Sequence, residues 1–225
     1  MKILALDFSS DLRSAAILDS SQAGPASTPD GLAIAEMSDH GPRNIPAFDL
    51  IEAVLRDARL EPAQIECICA GLGPGSYTGI RVSISIAQGW QLARGIRLLG
   101  LSSVTCLAAQ AQTEGIFGRV HLAIDAQRNE FYLATYDITP ETIQEIGPLH
   151  LASFEEANAI VQAGQLLAGP GLTRWFPTAR VLYPSAANLA RLASRRDDFI
   201  SGDQLEPIYL RQTAFVKAPP PRQIV

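Results

Sequence analysis

Two short strings in this chain, Ile3-Leu4-Ala5-Leu6-Asp7 near the start and His121-Leu122-Ala123-Ile124-Asp125 past the midpoint, share one pattern: an apolar run that ends in aspartate. Each is followed, after a polar turn, by a second strand-like segment, at 14–18 and at 130–136. Strand, turn and strand read as a β-hairpin. A hairpin that recurs about half a chain later predicts a duplicated unit rather than one continuous sheet. The expectation is two related α/β lobes, in which Asp7 and Asp125 end the first strand. A carboxylate at that position has an ordinary structural use, as a cap on the turn that follows.

Between the two hairpins the first lobe fills in. Residues 31–37 read as a third strand, set off by a Ser-, Gly- and Pro-rich loop at 20–30. After Pro46, the residues Phe48, Ile51, Val54, Leu55 and Ala58 recur at helical spacing and predict an amphipathic helix over 45–59. A fully apolar strand at 65–70, a helix ending near 95 and a strand at 98–101 complete a β-β-β-α-β-α-β order, which suits a mixed sheet with helices packed on it. The second lobe is abbreviated, with helices predicted at 102–113, 154–163 and 186–195 and a Gly-Pro-Gly turn at 169–171. The chain divides on this basis into a first lobe (1–101), a second lobe (102–217) and a Pro-rich tail (218–225), expected to be extended and partly disordered.

The stretch Gly71-Leu-Gly-Pro-Gly-Ser-Tyr-Thr-Gly79 joins a strand to a helix, the place where many proteins hold a phosphate against the first amides of the helix. It fails the known phosphate patterns. A Walker loop needs lysine directly after its last glycine, where Ile80 stands. The dinucleotide pattern fails at Ser76 when counted from Gly71 and at Thr78 when counted from Gly73. A nucleophile elbow around Ser76 needs glycines where Pro74 and Thr78 stand. Ser76 and Thr78 read as residues that cap the helix. Gly73, Gly75, Gly79 and Arg81 complete the loop and its entry into the helix.

That helix has two apolar stripes, Ile80, Ile84 and Ala87 on one and Val82, Ile86, Trp90 and Ala93 on the other, with Ser83, Ser85, Ala87 and Gly89 small. A helix packed on one side shows one stripe, so this one meets something on both flanks: its own sheet, and either another helix of the chain or another protein. A charge placed at Val82 or Ile86 is expected to leave the fold intact and break such an assembly.

Composition narrows the partners. A formal charge of -5 gives no broad basic field to collect nucleic-acid phosphates, so any RNA work would need a partner. Cys67, Cys69 and Cys106 are an odd number without metal-site spacing and read as small buried hydrophobes, reduced as in the cytosol. His40, His121 and His150 are scattered, and no metal site is expected. No run is long and apolar enough for a membrane span or a signal segment. A soluble cytoplasmic protein, with no contact to membrane, is the expectation.

The loop and helix at 71–89, GLGPGSYTGIRVSISIAQG, resemble the signature of the TsaB family, the non-catalytic dimerisation subunit of the bacterial complex that makes threonylcarbamoyladenosine in tRNA. LALDFSS (4–10), His40 with Pro46, LLGLSS (98–103), DAQRNEFY (125–132) and EPIYLR (206–211) match in order, so the resemblance covers nearly the whole chain. It implies a duplicated actin-like, ribonuclease-H-like α/β fold, two lobes with mixed sheets flanked by helices. It also implies pairing with a catalytic sibling, TsaD, an ATPase partner, TsaE, and a homodimer when TsaD is absent. The tRNA would be reached only through the complex, with no intrinsic cofactor and room for a nucleotide at the partner interface. Together with the two-striped helix, it places the partner interface at Phe48, Ile51, Leu55, Tyr77, Val82, Ile86 and Trp90, and assigns no catalytic residue.

The chain departs from the family at Phe8, in a turn without glycine where actin-like ATPases bring backbone to phosphate. It departs again at Ser83 and Gln88, where members often have glycine and lysine. Two alternatives of other classes stand beside this reading: an actin-like or sugar-kinase-like ATPase using Asp7 and Asp125, and a peptidase or acyl hydrolase using Ser76.

Overall fold

The computed structural model describes residues 1–20, 34–40 and 45–211. The tail at 218–225 and nearly all of the loop at 20–30 lie outside the described residues. Strands β1 (Lys2–Asp7), β2 (Leu12–Asp19), β3 (Ile34–His40), β4 (Cys67–Gly71) and β5 (Arg97–Leu101) form one five-stranded sheet in the order β3-β2-β1-β4-β5. The second sheet is built from β6 (Gly118–Asp125), β7 (Glu130–Ile138), β8 (Ile143–Ser153), β9 (Leu166–Gly169) and the two-residue β10 (Arg180–Val181), in the order β10-β9-β6-β7-β8. In each, the hairpin strand that ends in aspartate lies at the centre. It pairs antiparallel with the strand that follows it and parallel with a later strand, β1 with β4 and β6 with β9. The two sheets therefore share one topology, and the repeat read in the sequence is a repeat of architecture.

Helices α1 (Ala47–Asp57) and α2 (Tyr77–Arg94) cover one face of the first sheet, where Leu4, Leu6, Ile17, Ile68 and Leu98 meet Leu50, Val54, Ile80 and Ile84. Gly95 ends α2 in the left-handed conformation at φ 67°, which glycine enters without steric cost. Phe8 is fully buried and turns its ring into this same core. The departure from the family at Phe8 thus fills the space behind the hairpin turn with side chain.

Helix α3 (Ser103–Thr113) lies between the two sheets. Its Val104, Leu107, Ala108 and Ala111 pack on the second sheet and its Cys106 on the first. Helix α4 (Phe154–Gln162) closes the outer face of the second sheet through Ala157. Helix α5 (Ala186–Ala193), placed by sequence in the second lobe, packs on the first sheet instead: Ala186, Leu189, Ala190 and Ala193 cover Ile3, Ala5, Ala16, Cys67 and Cys69. Its stripe of alanines matches a sheet face that is itself rich in small residues. The first lobe is therefore completed by chain from both halves.

The three cysteines lie in this same core, free and buried. Burial pushes the Cys67 thiol up to about 12 and holds Cys69 and Cys106 well above the ordinary range, so all three stay protonated.

Candidate functional site

Asp7 sits at the end of the central strand of the first sheet, fully buried. Its Oδ1 accepts from the Ser9 amide at 2.9 Å and the Ser9 hydroxyl at 2.6 Å, and its Oδ2 accepts from the Ser103 hydroxyl at 2.8 Å. Burial raises its pKa, and the three donors oppose that rise. Asp125, its counterpart, accepts from the Gln127 amide at 2.7 Å and pairs with Arg174 at 2.5 Å. Each carboxylate caps its own turn and makes a second tie to its own chain. Among the described residues no group of three or more His, Cys, Asp and Glu side chains could hold a metal ion.

The Gly-rich loop wraps a piece of protein. A Cβ on Gly79 would lie 1.8 Å from the Phe8 carbonyl oxygen and one on Gly75 2.1 Å from that of Ser9. The Ser76 amide donates to the Ser9 carbonyl at 2.7 Å, and the Gly73 amide to the Ser103 hydroxyl at 3.2 Å. Thus the glycines allow the β1–β2 turn to occupy the space that a bound phosphate takes in loops of similar composition. Ser76 caps α2, its hydroxyl accepting from the Gly79 amide at 3.3 Å. Substituting Gly79→Ala drives a methyl into backbone and is expected to cost about 2–3 kcal/mol, read as a lowered urea midpoint with unchanged m-value.

On the solvent side of α2 lies an apolar groove of about 650 Å³. Phe48 and Tyr77, each 59% exposed, line it together with Val82, Ile86, Gly89 and Trp90. Nothing lies within 4 Å of where a Gly89 Cβ would be, so this chain's own packing does not call for glycine there. Arg81 lies over the Tyr77 ring at 4.4 Å.

The residues expected at a partner interface separate here. Phe48, Tyr77 and Trp90 are at the groove. Ile51 and Leu55 are buried, 2% and 4% exposed, in the core between α1 and the sheet, so they support the face from beneath. Ile86, 7% exposed, belongs to that core as well as to the groove lining. The expectation that a charge at Ile86 would spare the fold is therefore corrected, because arginine there would be buried in the core of its own lobe. The departures at Ser83 and Gln88 have local partners: the buried Ser83 hydroxyl donates to the Gly79 carbonyl at 3.3 Å, and the Gln88 amide to the Gly202 carbonyl at 2.7 Å.

A second concavity, of about 980 Å³, runs between the lobes and shares Tyr77, Thr78 and Arg81 with the groove. Its closing side is the segment 206–211. The Ile208 amide donates to the Leu72 carbonyl at 2.9 Å, the Tyr209 ring stacks on Tyr77 at 5.9 Å, and Tyr209 hydroxyl accepts from Arg81 Nε at 3.3 Å. Arg211 then reaches the second lobe, donating to the Ala126 carbonyl at 3.1 Å and pairing with Glu130. The strap thus ties both lobes to the groove. Sequence reading found EPIYLR as a matching segment without a role for it, since a contact between residues 81 and 209 leaves no local pattern.

With this geometry in hand, the chain can be compared with known proteins. A family model described as "TsaD: tRNA N6-adenosine threonylcarbamoyltransferase" matches residues 43–194. The tRNA threonylcarbamoyladenosine biosynthesis protein TsaB of Escherichia coli is 26% identical, over 99% of this chain and all of that protein. An uncharacterised protein of Mycobacterium tuberculosis is 30% identical over 71% of each chain. The solved structure of YeaZ from Pseudomonas aeruginosa superposes with a TM-score of 0.74 at 25% identity, covering 93% of this chain and 99% of that one.

Proposed function

The chain belongs to the TsaB family, and from that premise we propose that it is a non-catalytic subunit for threonylcarbamoyladenosine formation in tRNA, acting by pairing with the catalytic sibling TsaD. The observation that carries the pairing is the α2 groove. Exposed aromatic rings, apolar Val82 and Ile86 and a bare Gly89 make a surface suited to close approach by another helix. The sibling is the favoured occupant because this chain matches the model of that very fold over residues 43–194, so two alike lobes would meet through alike helices, as they do in symmetric pairs.

The absence of a catalytic role in this reading rests on how the polar residues are spent. Asp7 and Asp125 are engaged by their own turns, Ser76 by its helix, and the Gly-rich loop by the Phe8–Ser9 backbone. TsaE as a further partner, a homodimer through the same groove when TsaD is absent, and a nucleotide at the partner interface belong to the same proposal. Among the described residues no helix is long and apolar enough to cross a membrane.

The test is threonylcarbamoyl transfer to unmodified tRNA from preformed threonylcarbamoyl-adenylate, with the cognate TsaD, TsaE and ATP, with and without this chain. Product only in its presence is the expected result. Equal product without it would overturn the assignment.

A further inference from the structure

The interlobe cleft holds an imbalance of charge that reaches beyond the pairing surface. Four arginines line it, Arg81 from the first lobe and Arg128, Arg174 and Arg211 from the far side. Arg174 is matched by Asp125 and Arg211 by Glu130. Among the described residues Arg81 has the Tyr77 face and the Tyr209 hydroxyl as partners, and Arg128 makes no ion pair or hydrogen bond through its side chain. Asp11 is the only carboxylate lining the cleft, among the described residues, that is not already paired with a guanidinium. In a chain of net charge -5, two uncompensated guanidinium groups on the walls of one cleft are a local exception.

The backbone that presents Arg128 is itself unusual. Gln127, Arg128 and Asn129 take φ values of 61°, 58° and 61°, three successive non-glycine residues in the left-handed region. Such residues persist only where their surroundings over-determine them, and they gather at ligand clamps. Here the surroundings are visible: Asp125 caps the Gln127 amide, Arg211 holds the Ala126 carbonyl at 3.1 Å, and the Glu130 amide closes the turn onto the Gln127 carbonyl at 3.1 Å. The effect of this support is to aim Arg128 into the cleft. Tyr132 and Tyr209 line the same space, and planar guanidinium groups interleaved with aromatic rings suit the phosphates and bases of a flexible polyanion.

We infer that the interlobe cleft binds RNA backbone phosphate through Arg81 and Arg128, giving the assembled complex a tRNA contact supplied by this chain. The inference rests on the reading of the chain as a subunit of a tRNA-modifying complex. An extended phosphodiester is favoured over a small polyphosphate because the deep end of the cleft is closed. Phe8 is buried behind the hairpin turn, Asp7 is spent, and the Gly-rich loop is packed on carbonyl oxygens that would repel phosphate. What remains is the open rim, where the two arginines stand.

Arg128 is the residue to vary, because Arg81 also lines the pairing groove. The measurement is the affinity of unmodified tRNA for the full complex of this chain with its catalytic partner, for wild type, Arg128→Glu and Arg128→Lys, between 50 and 200 mM salt. Arg128→Glu is expected to weaken tRNA binding about 5–20-fold and to flatten the slope of log affinity against log salt by about 0.7–0.9, one phosphate contact. Arg128→Lys, which keeps the charge, is expected to recover most of the loss. Sedimentation should show the same assembled complex for all three.

An intact complex whose tRNA affinity and salt slope ignore Arg128→Glu would overturn the inference. So would pyrophosphate or ADP binding to the chain alone that Arg128→Glu abolishes while tRNA binding stays unchanged, since that makes the cleft a small-phosphate site. Failure of the wild-type chain to form a complex would instead remove the subunit reading, and this inference with it.

Discussion

Replacing Gly89→Arg is expected to abolish pairing with the catalytic subunit, by 100-fold or more, while the isolated chain melts at the same temperature or a few degrees higher. Gly89 lies inside the 18-residue α2, where glycine costs about 1 kcal/mol relative to a good helix former such as arginine. Apart from its own turns of helix, nothing stands within 4 Å of a Cβ placed there, so the fold leaves room for a side chain to start at this position. The same side chain projects from the lining of the groove and places a charge where an apolar partner surface would come to rest, a burial worth several kcal/mol. Surface plasmon resonance against the catalytic subunit, beside a thermal melt of the chain alone, reads both halves. Unchanged affinity would mean that this groove is not the pairing face.

Substitution of Asp7 should give the largest loss of stability together with the clearest statement about chemistry. Asp7→Ala leaves the Ser9 amide and the Ser9 and Ser103 hydroxyls without their buried acceptor, and Ser103 in turn positions the Gly73 amide of the loop. The expected cost is about 3 kcal/mol, or a melting temperature lowered by roughly 6–12 °C. Asp7→Asn keeps the shape and one acceptor oxygen and is expected to fold.

The pH dependence separates these two chains. Burial raises the native pKa of Asp7 above the ordinary carboxylate value of 3.8, so the native state holds this proton after the unfolded state has released it. Stability contributed by the group is therefore full below about 3.8 and is lost as pH rises toward the native pKa. Unfolding free energy of the wild type relative to Asp7→Asn should fall across that window, the reverse of an ordinary salt-bridged carboxylate. A rising difference would contradict the raised pKa. ATP hydrolysis by the wild type that disappears in Asp7→Asn would restore the ATPase reading.

Much of this molecule could be read from its residues because the signals were local. The aspartate-ended hairpins appear as β1–β2 and β6–β7, and the periodicity after Pro46 as α1. The third strand, predicted at 31–37, is found at Ile34–His40 and runs past its predicted end, while 31–33 lie outside the described residues. Strand β8 went unread because IQEIGPLHLAS spaces its apolar residues irregularly and holds Gly147 and Pro148, which an edge strand with a register shift tolerates and a sequence pattern counts as a break. Strands β9 and β10, of four and two residues, are too short for any period to show.

For the candidate site, the residues of the loop and of α2 were legible and their uses were not. Sequence alone determined that a glycine-rich turn enters a helix with two apolar stripes, since composition and 3.6-residue spacing are properties of neighbours along the chain. That the turn embraces the Phe8 and Ser9 carbonyls, that Ile51 and Leu55 lie under the groove rather than on it, that α5 closes the first sheet, and that Tyr209 stacks on Tyr77 were decided only by tertiary structure. Each depends on which surfaces meet across distances of tens of residues or more. A stripe of apolar side chains fixes that a face must be covered, and many faces of the same chain are chemically able to cover it; shape and close packing select among them.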